Sequence, residues 1–143
     1  RWALLYRLLF RLTHGEPELL AKVQLSGRPV FLDFTADWCL TCQALKARVL
    51  DKEPLKSEFK RRGVVLMEVD TTVRKGQGSK LLTQLGRTGV PAWAVFAPGS
   101  EKPKFVPVES PTSGTVLAEL DALGVKSPTA GAVPSDSSSS VSR

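Results

Sequence analysis

The sequence predicts an α/β fold, a central mixed β-sheet flanked by helices. Three features point there. Short apolar runs alternate with segments of helical spacing through the first part of the chain, the pattern of parallel strands joined by helical crossovers. The run at 30–36, VFLDFTA, is apolar on both faces apart from Asp33, as suits a strand in the middle of a sheet. Ala97-Pro98-Gly99-Ser100 places Pro and Gly for a tight turn between two further runs, which adds an antiparallel hairpin.

The elements follow in order. Glu18 to Leu25 forms a short helix, with Pro17 suited to its first turn and Ser26-Gly27 as its stop. Val30 to Ala36 is the first strand. Cys42, Leu45 and Val49 then recur at helical spacing, so a helix is expected to run to about Leu50. A second helical piece follows Pro54 to about Arg62, and Gly63 ends it. Val64 to Asp70 is the next strand. Ser79 to Leu85 is helical, with Leu81, Leu82 and Leu85 on one face and Gly86 as its stop. Ala92 to Ala97 and Phe105 to Val108 are the hairpin strands, and Pro107 puts the latter at an edge. Val116, Leu117, Leu120 and Leu123 mark a final amphipathic helix.

Composition narrows the function. With 143 residues, 42% of them hydrophobic, the chain is long enough for one domain plus appendages and apolar enough for a true core. Two cysteines cannot build a disulfide scaffold, and with the single His14 they fall short of the four ligands of a structural zinc site. No metal and no cofactor are expected. The net charge of +6 sits largely at the ends, since residues 15–124 hold 15 bases against 13 acids. Lys60-Arg61-Arg62 is the one basic triplet and reads as a solvated helix end, so nucleic acid is not an expected partner.

The domain is expected to span residues 28–124, preceded by a helical segment at 1–27. Residues 2–12 (WALLYRLLFRL) give a broad apolar face beside a basic strip of Arg7, Arg11 and His14. Three readings are open: a helix packed on the domain or a partner, an interfacial membrane helix, or the end of a spanning helix that begins upstream. A first residue other than Met is expected of a fragment or a processed form. Residues 125–143, rich in serine and without apolar periodicity, read as a disordered tail.

The chemistry lies in Asp37-Trp38-Cys39-Leu40-Thr41-Cys42. A Cys-x-x-Cys where a strand turns into a helix sets the first thiol at the helix start, where unpaired N–H groups and the dipole favour a thiolate. The second lies one turn inside, close enough to close a small disulfide ring, and such a pair can exchange two electrons with another dithiol. Two core cysteines or a structural bridge are the plainer alternatives. A bridge over two residues constrains little of the unfolded chain.

These residues resemble the thioredoxin-like superfamily over positions 28–124, and more sharply the C-terminal periplasmic domain of DsbD-type thiol:disulfide interchange proteins. The resemblance rests on 28–42 (RPVFLDFTADWCLTC) and 86–91 (GRTGVP), with weaker support from 98–103 (PGSEKP). It implies a thioredoxin-like fold and a thiol:disulfide oxidoreductase that relays reducing equivalents. It makes Cys39 the attacking thiol and Cys42 the resolving one, with Asp33 moving the proton of Cys42. It also implies a cis peptide at Val90-Pro91 facing the dithiol, where substrate docks, with Trp38 shielding the pair or simply packing. Partners would be protein dithiols and disulfides, among them a membrane-embedded electron-donor domain. The location would be periplasmic, with a membrane tether upstream or through residues 1–14. The sequence departs from the family at Lys46, where DsbD-type domains often carry an acid. A lysine there would lower thiol pKa values rather than raise them. A general disulfide reductase, a cytochrome c maturation factor and a redox-inactive binding module are the competing functions.

Overall fold

A computed structural model describes residues 17–126. The apolar, basic stretch at 1–14 and the serine-rich stretch from 127 lie outside the described residues. The elements are α1 (Pro17–Leu25), β1 (Val30–Thr35), α2 (Leu40–Leu45), α3 (Leu55–Arg61), β2 (Val65–Asp70), α4 (Gln77–Gln84), β3 (Ala92–Phe96), β4 (Lys104–Val106) and α5 (Ser113–Ala122). The strands make one sheet in the order β2-β1-β3-β4. β1 pairs parallel with β2 and antiparallel with β3, and β3 pairs antiparallel with β4. The mixed α/β sheet expected from the sequence is the sheet observed.

Alternation along the strands divides the core in two. Val30, Leu32 and Phe34 face Met67, Val69, Ala94 and Phe96, and this face is covered by Leu20 and Val23 of α1 and Leu81 and Leu82 of α4. Helix α1, in the N-terminal segment for which packing on the domain was one of the open readings, packs here through Leu20 and Val23. Phe31, Trp93 and Val95 point the other way, onto Leu55 and Phe59 of α3 and Val116 and Leu120 of α5. The Phe31 ring lies 5.1 Å from Phe59 and 5.7 Å from Trp93, centroid to centroid, within the range of favourable aromatic pairs. Asp33 shares this second face and is the charged residue in an otherwise apolar central strand.

The structure departs from the expected elements in places that have physical causes. The helix from the dithiol is α-helical only to Leu45 and continues as a π-turn over Lys46–Leu50. The Asp51 N–H reaches back to the Lys46 carbonyl at 2.8 Å, a five-residue step. The wider turn lets the adjacent Val49 and Leu50 both enter the core. β4 stops at Val106 on the sheet edge, because Pro107 has no N–H to continue the ladder. Val125, at the head of the expected tail, is buried, and its carbonyl accepts a 2.9 Å bond from Arg62 Nη1. That guanidinium also binds Glu58 and Asp121, so Arg62 ties α3 to α5 rather than lying in solvent. The Glu53–Pro54 peptide is cis.

Two glycines are required by geometry. Gly63 has φ +70° where α3 turns into β2, a conformation that costs other residues about 1–2 kcal/mol. At Gly78 a Cβ would stand 2.0 Å from the Asp70 carbonyl oxygen, so only glycine lets α4 approach the end of β2.

Candidate active site

Cys39 and Cys42 are joined in a disulfide with Cα atoms 5.3 Å apart. Cys39 is the N-cap of α2, and its sulfur accepts the Cys42 N–H at 3.1 Å. A backbone N–H at the helix start thus points at the Cys39 sulfur. Cys39 is 7% exposed and Cys42 2%, so Cys39 is the less enclosed of the two. Ala36 and the half-buried Val90 pack against the pair, and the Val90–Pro91 peptide is cis, as expected. Val90 and the dithiol, distant in sequence, are thus neighbours.

The loop that presents the dithiol is tied to the loop after β2. The Asp37 N–H donates to Thr72 Oγ1 at 2.9 Å, and Thr71 N–H donates to the Thr35 carbonyl at 2.7 Å. Trp38 Nε1 approaches the Thr72 carbonyl at 3.4 Å while the side chain remains 64% exposed. Trp38 is therefore not packed into the core. The indole stands largely in solvent with the Thr72 carbonyl as its partner, while Thr71 ties its loop to Thr35; neither threonine was singled out from the sequence.

Asp33 is 2% exposed. Trp93, directly opposite on β3, donates its Nε1–H to Asp33 Oδ1 at 3.0 Å. On the other side Asp33 pairs in register with Glu68 of β2, and Glu68 forms an ion pair with Lys46. Burial, and next the Glu68 charge, push the Asp33 carboxyl up to about 7, against the opposing pull of the Trp93 hydrogen bond and the Lys46 ammonium. Burial disfavours the charged Lys46, but Glu68, Asp51 and Asp33 outweigh it and hold its pKa above the usual lysine value. Glu68 and Trp93 were not singled out from the sequence. The available signal was an acid alternating with apolar residues in a strand, and an indole two positions after Pro91. Among the described residues no cluster of His, Cys, Asp and Glu could hold a metal ion.

The Asp33 environment gives a stability prediction. In the oxidised protein, Asp33 is protonated when folded and ionised when unfolded between its ordinary 3.8 and about 7. The folded state then binds the extra proton, so stability is greatest below pH 4 for this group and is lost as pH rises to about 7. The 3.8-to-7 interval corresponds to a loss on the order of 4 kcal/mol. Urea unfolding of the oxidised protein across this range is expected to lose most of that dependence in Asp33→Asn. An unchanged pH slope in the variant would show that another group governs it.

A helix-capping Cys-x-x-Cys disulfide on a mixed four-stranded sheet, with a carboxyl buried in the central strand, defines a thioredoxin-class thiol–disulfide exchange protein. A family model described as thioredoxin-like matches residues 14–98, and the chain belongs to the thioredoxin-like family. It is similar to the thiol:disulfide interchange protein DsbD of Yersinia enterocolitica, 33% identical over 98 residues, covering 67% of this chain and 17% of that protein. It is also similar to DsbD of Ralstonia nicotianae, 34% identical over 104 residues, covering 72% of this chain and 17% of that protein. The chain thus spans about a sixth of these relatives' length. In fold it resembles the oxidised C-terminal domain of Neisseria meningitidis DsbD, with TM-score 0.60 and 19% identity over 77% of this chain and 97% of that one. A thioredoxin from Thermus thermophilus gives TM-score 0.60 and 24% identity over 78% of this chain and 85% of that one.

Proposed function

We propose that this domain relays reducing equivalents between protein partners, accepting them from a membrane-embedded donor domain and passing them to a periplasmic acceptor. The observation that carries the reading is Cys39 at the helix cap, its sulfur on a backbone N–H, in a chain similar to DsbD proteins. In the reduced state the Cys39 thiolate attacks one sulfur of a partner disulfide, and the other partner sulfur leaves as a thiolate. Cys42 then gives its proton to Asp33, attacks the Cys39 sulfur and releases the partner's second thiolate. Two electrons pass to the partner, and the domain ends as the Cys39–Cys42 disulfide. The donor domain reverses the sequence to restore the dithiol. Val90 and Pro91 offer backbone for the incoming chain beside the pair, and Trp38 offers an exposed ring.

Periplasmic location and a membrane tether belong to the same proposal and rest on the resemblance of the dithiol and Pro91 motifs. Among the described residues no helix is long and apolar enough to cross a membrane. Catalysed reduction of insulin by the purified domain with dithiothreitol tests the exchange itself. Turnover above the uncatalysed rate is expected, and its absence would leave a thioredoxin-fold binding module. Selective reduction of one periplasmic partner, rather than of many disulfides alike, separates a relay from a general reductase.

A further inference from the structure

The loop after β2 is held against the loop that carries the dithiol. Thr72 accepts the Asp37 N–H on its hydroxyl and meets the Trp38 indole N–H with its carbonyl. The next four residues, Val73-Arg74-Lys75-Gly76, close a tight turn. The Val73 carbonyl accepts the Gly76 N–H at 3.0 Å and the Ser79 hydroxyl at 2.7 Å. Arg74 and Lys75 hold the two central positions and are exposed, so they project from the turn. Among the described residues neither forms an ion pair. Val73, Trp38 and Leu40 are three of the four large apolar side chains left exposed among the described residues, so this end of the molecule presents apolar surface and cations together.

The charge there is not that of the domain as a whole. Residues 71–90 begin at the loop that meets Asp37 and Trp38 and end at Val90, which packs on the dithiol. They hold Arg74, Lys75, Lys80 and Arg87 and no acid. Of the 15 bases and 13 acids at 15–124, that leaves 11 bases against 13 acids everywhere else. Arg87 is laid over the Phe105 ring, 4.5 Å from its centroid. Arg74, Lys75 and Lys80 instead gather at the start of α4, where the helix dipole favours acids and disfavours cations. Helix stability therefore does not account for them. Asp37 and Asp70 are the acids of the two joined loops, and Asp70 is turned to the Thr72 N–H and hydroxyl. We infer that the Val73–Gly76 turn is a docking element that selects protein partners with acidic side chains beside their reactive disulfide, read by Arg74 and Lys75. The inference deepens the exchange function proposed above and rests on it. A chain that brings its sulfur to Cys39 passes the Trp38–Thr72 contact and the turn behind it, which favours a protein over an anionic lipid surface as the ligand.

The test uses the full chain in its reduced state and three peptides, each with one disulfide, identical except for Glu, Gln or Lys flanking the cysteines. Second-order rate constants for their reduction are each normalised to reduction by dithiothreitol. At about 10 mM salt the acidic peptide is expected to react about tenfold or more faster than the basic one. At about 1 M salt, where the screening length falls from about 30 to about 3 Å, the ratio is expected to collapse. Arg74→Gln with Lys75→Gln is expected to abolish most of the preference, and Arg74→Glu with Lys75→Glu to reverse it. Lys56→Gln with Lys60→Gln removes the same charge from α3 and is expected to keep it. A preference that survives both changes at 74 and 75, or that falls equally with the α3 pair, would overturn the inference. Equal rates on all three peptides overturn the docking role and leave the exchange function standing; three inert peptides overturn both. Binding to phosphatidylglycerol vesicles that needs Arg74 and Lys75, without discrimination among the peptides, would give the turn to a membrane surface and overturn the protein-partner reading.

Discussion

Cys39→Ser is expected to reduce disulfide exchange to the uncatalysed background, whereas Cys42→Ser is expected to accumulate a covalent mixed disulfide through Cys39. The difference follows from where the sulfurs sit. Cys39 Sγ caps α2 on the Cys42 N–H, and Cys39 is the more exposed residue of the pair. A thiolate there is stabilised by the same N–H groups that begin the helix. Cys42 is one turn deeper and nearly closed to solvent, so a bulky disulfide cannot reach it before Cys39 has reacted. Without Cys42 the first exchange still occurs and the second cannot, because the resolving nucleophile is gone. Incubation with a disulfide substrate, quenching by alkylation and mass spectrometry reads both outcomes. Equal adduct formation through Cys42 in Cys39→Ser would reverse the assignment of attacker and resolver.

Much of this arrangement is legible in the sequence, for reasons that are local. The apolar run from Val30 predicts a buried central strand because its residues must satisfy both faces. Leu81 and Leu82 mark the buried side of α4, and Cys39-x-x-Cys42 declares its chemistry only together with the stretches at 28–38 and 86–91. What escapes is set by pairing between distant segments. Asp33 has Trp93 on one side and Glu68 on the other only because β1 lies between β3 and β2 at one particular register. A shift by one residue would turn each of those side chains to the opposite face. The π-turn at Lys46–Leu50 likewise answers the need to bury both Val49 and Leu50, which helical spacing alone does not anticipate. Whether Trp38 packs or stays open is likewise not legible from its place after a strand, and here it remains largely exposed.

Lys46 changes meaning in the same way, and this bears on the direction of electron flow. From the sequence, a lysine near the dithiol would stabilise a thiolate and push the pair towards oxidant strength. In the structure its charge is paired with Glu68, so the local balance at the dithiol helix is close to neutral. Nothing basic stands between the thiols, where Leu40 and Thr41 sit. A buried carboxyl in the adjoining strand, with a second acid beside it, opposes further negative charge. A strongly oxidising pair requires an unusually stable thiolate in the reduced form, and this site supplies only the helix start. The reduction potential is therefore expected near thioredoxin's value of about −270 mV rather than DsbA's of about −120 mV. That gap of about 150 mV is about 7 kcal/mol at 1.4 kcal/mol per 30 mV, far more than one partly exposed lysine contributes through solvent. Equilibration of the domain with defined glutathione buffers, read by alkylation of the thiols, measures it. A potential above about −150 mV, in the range of oxidants such as DsbA, would reverse the electron flow and make the domain an oxidase on the same fold.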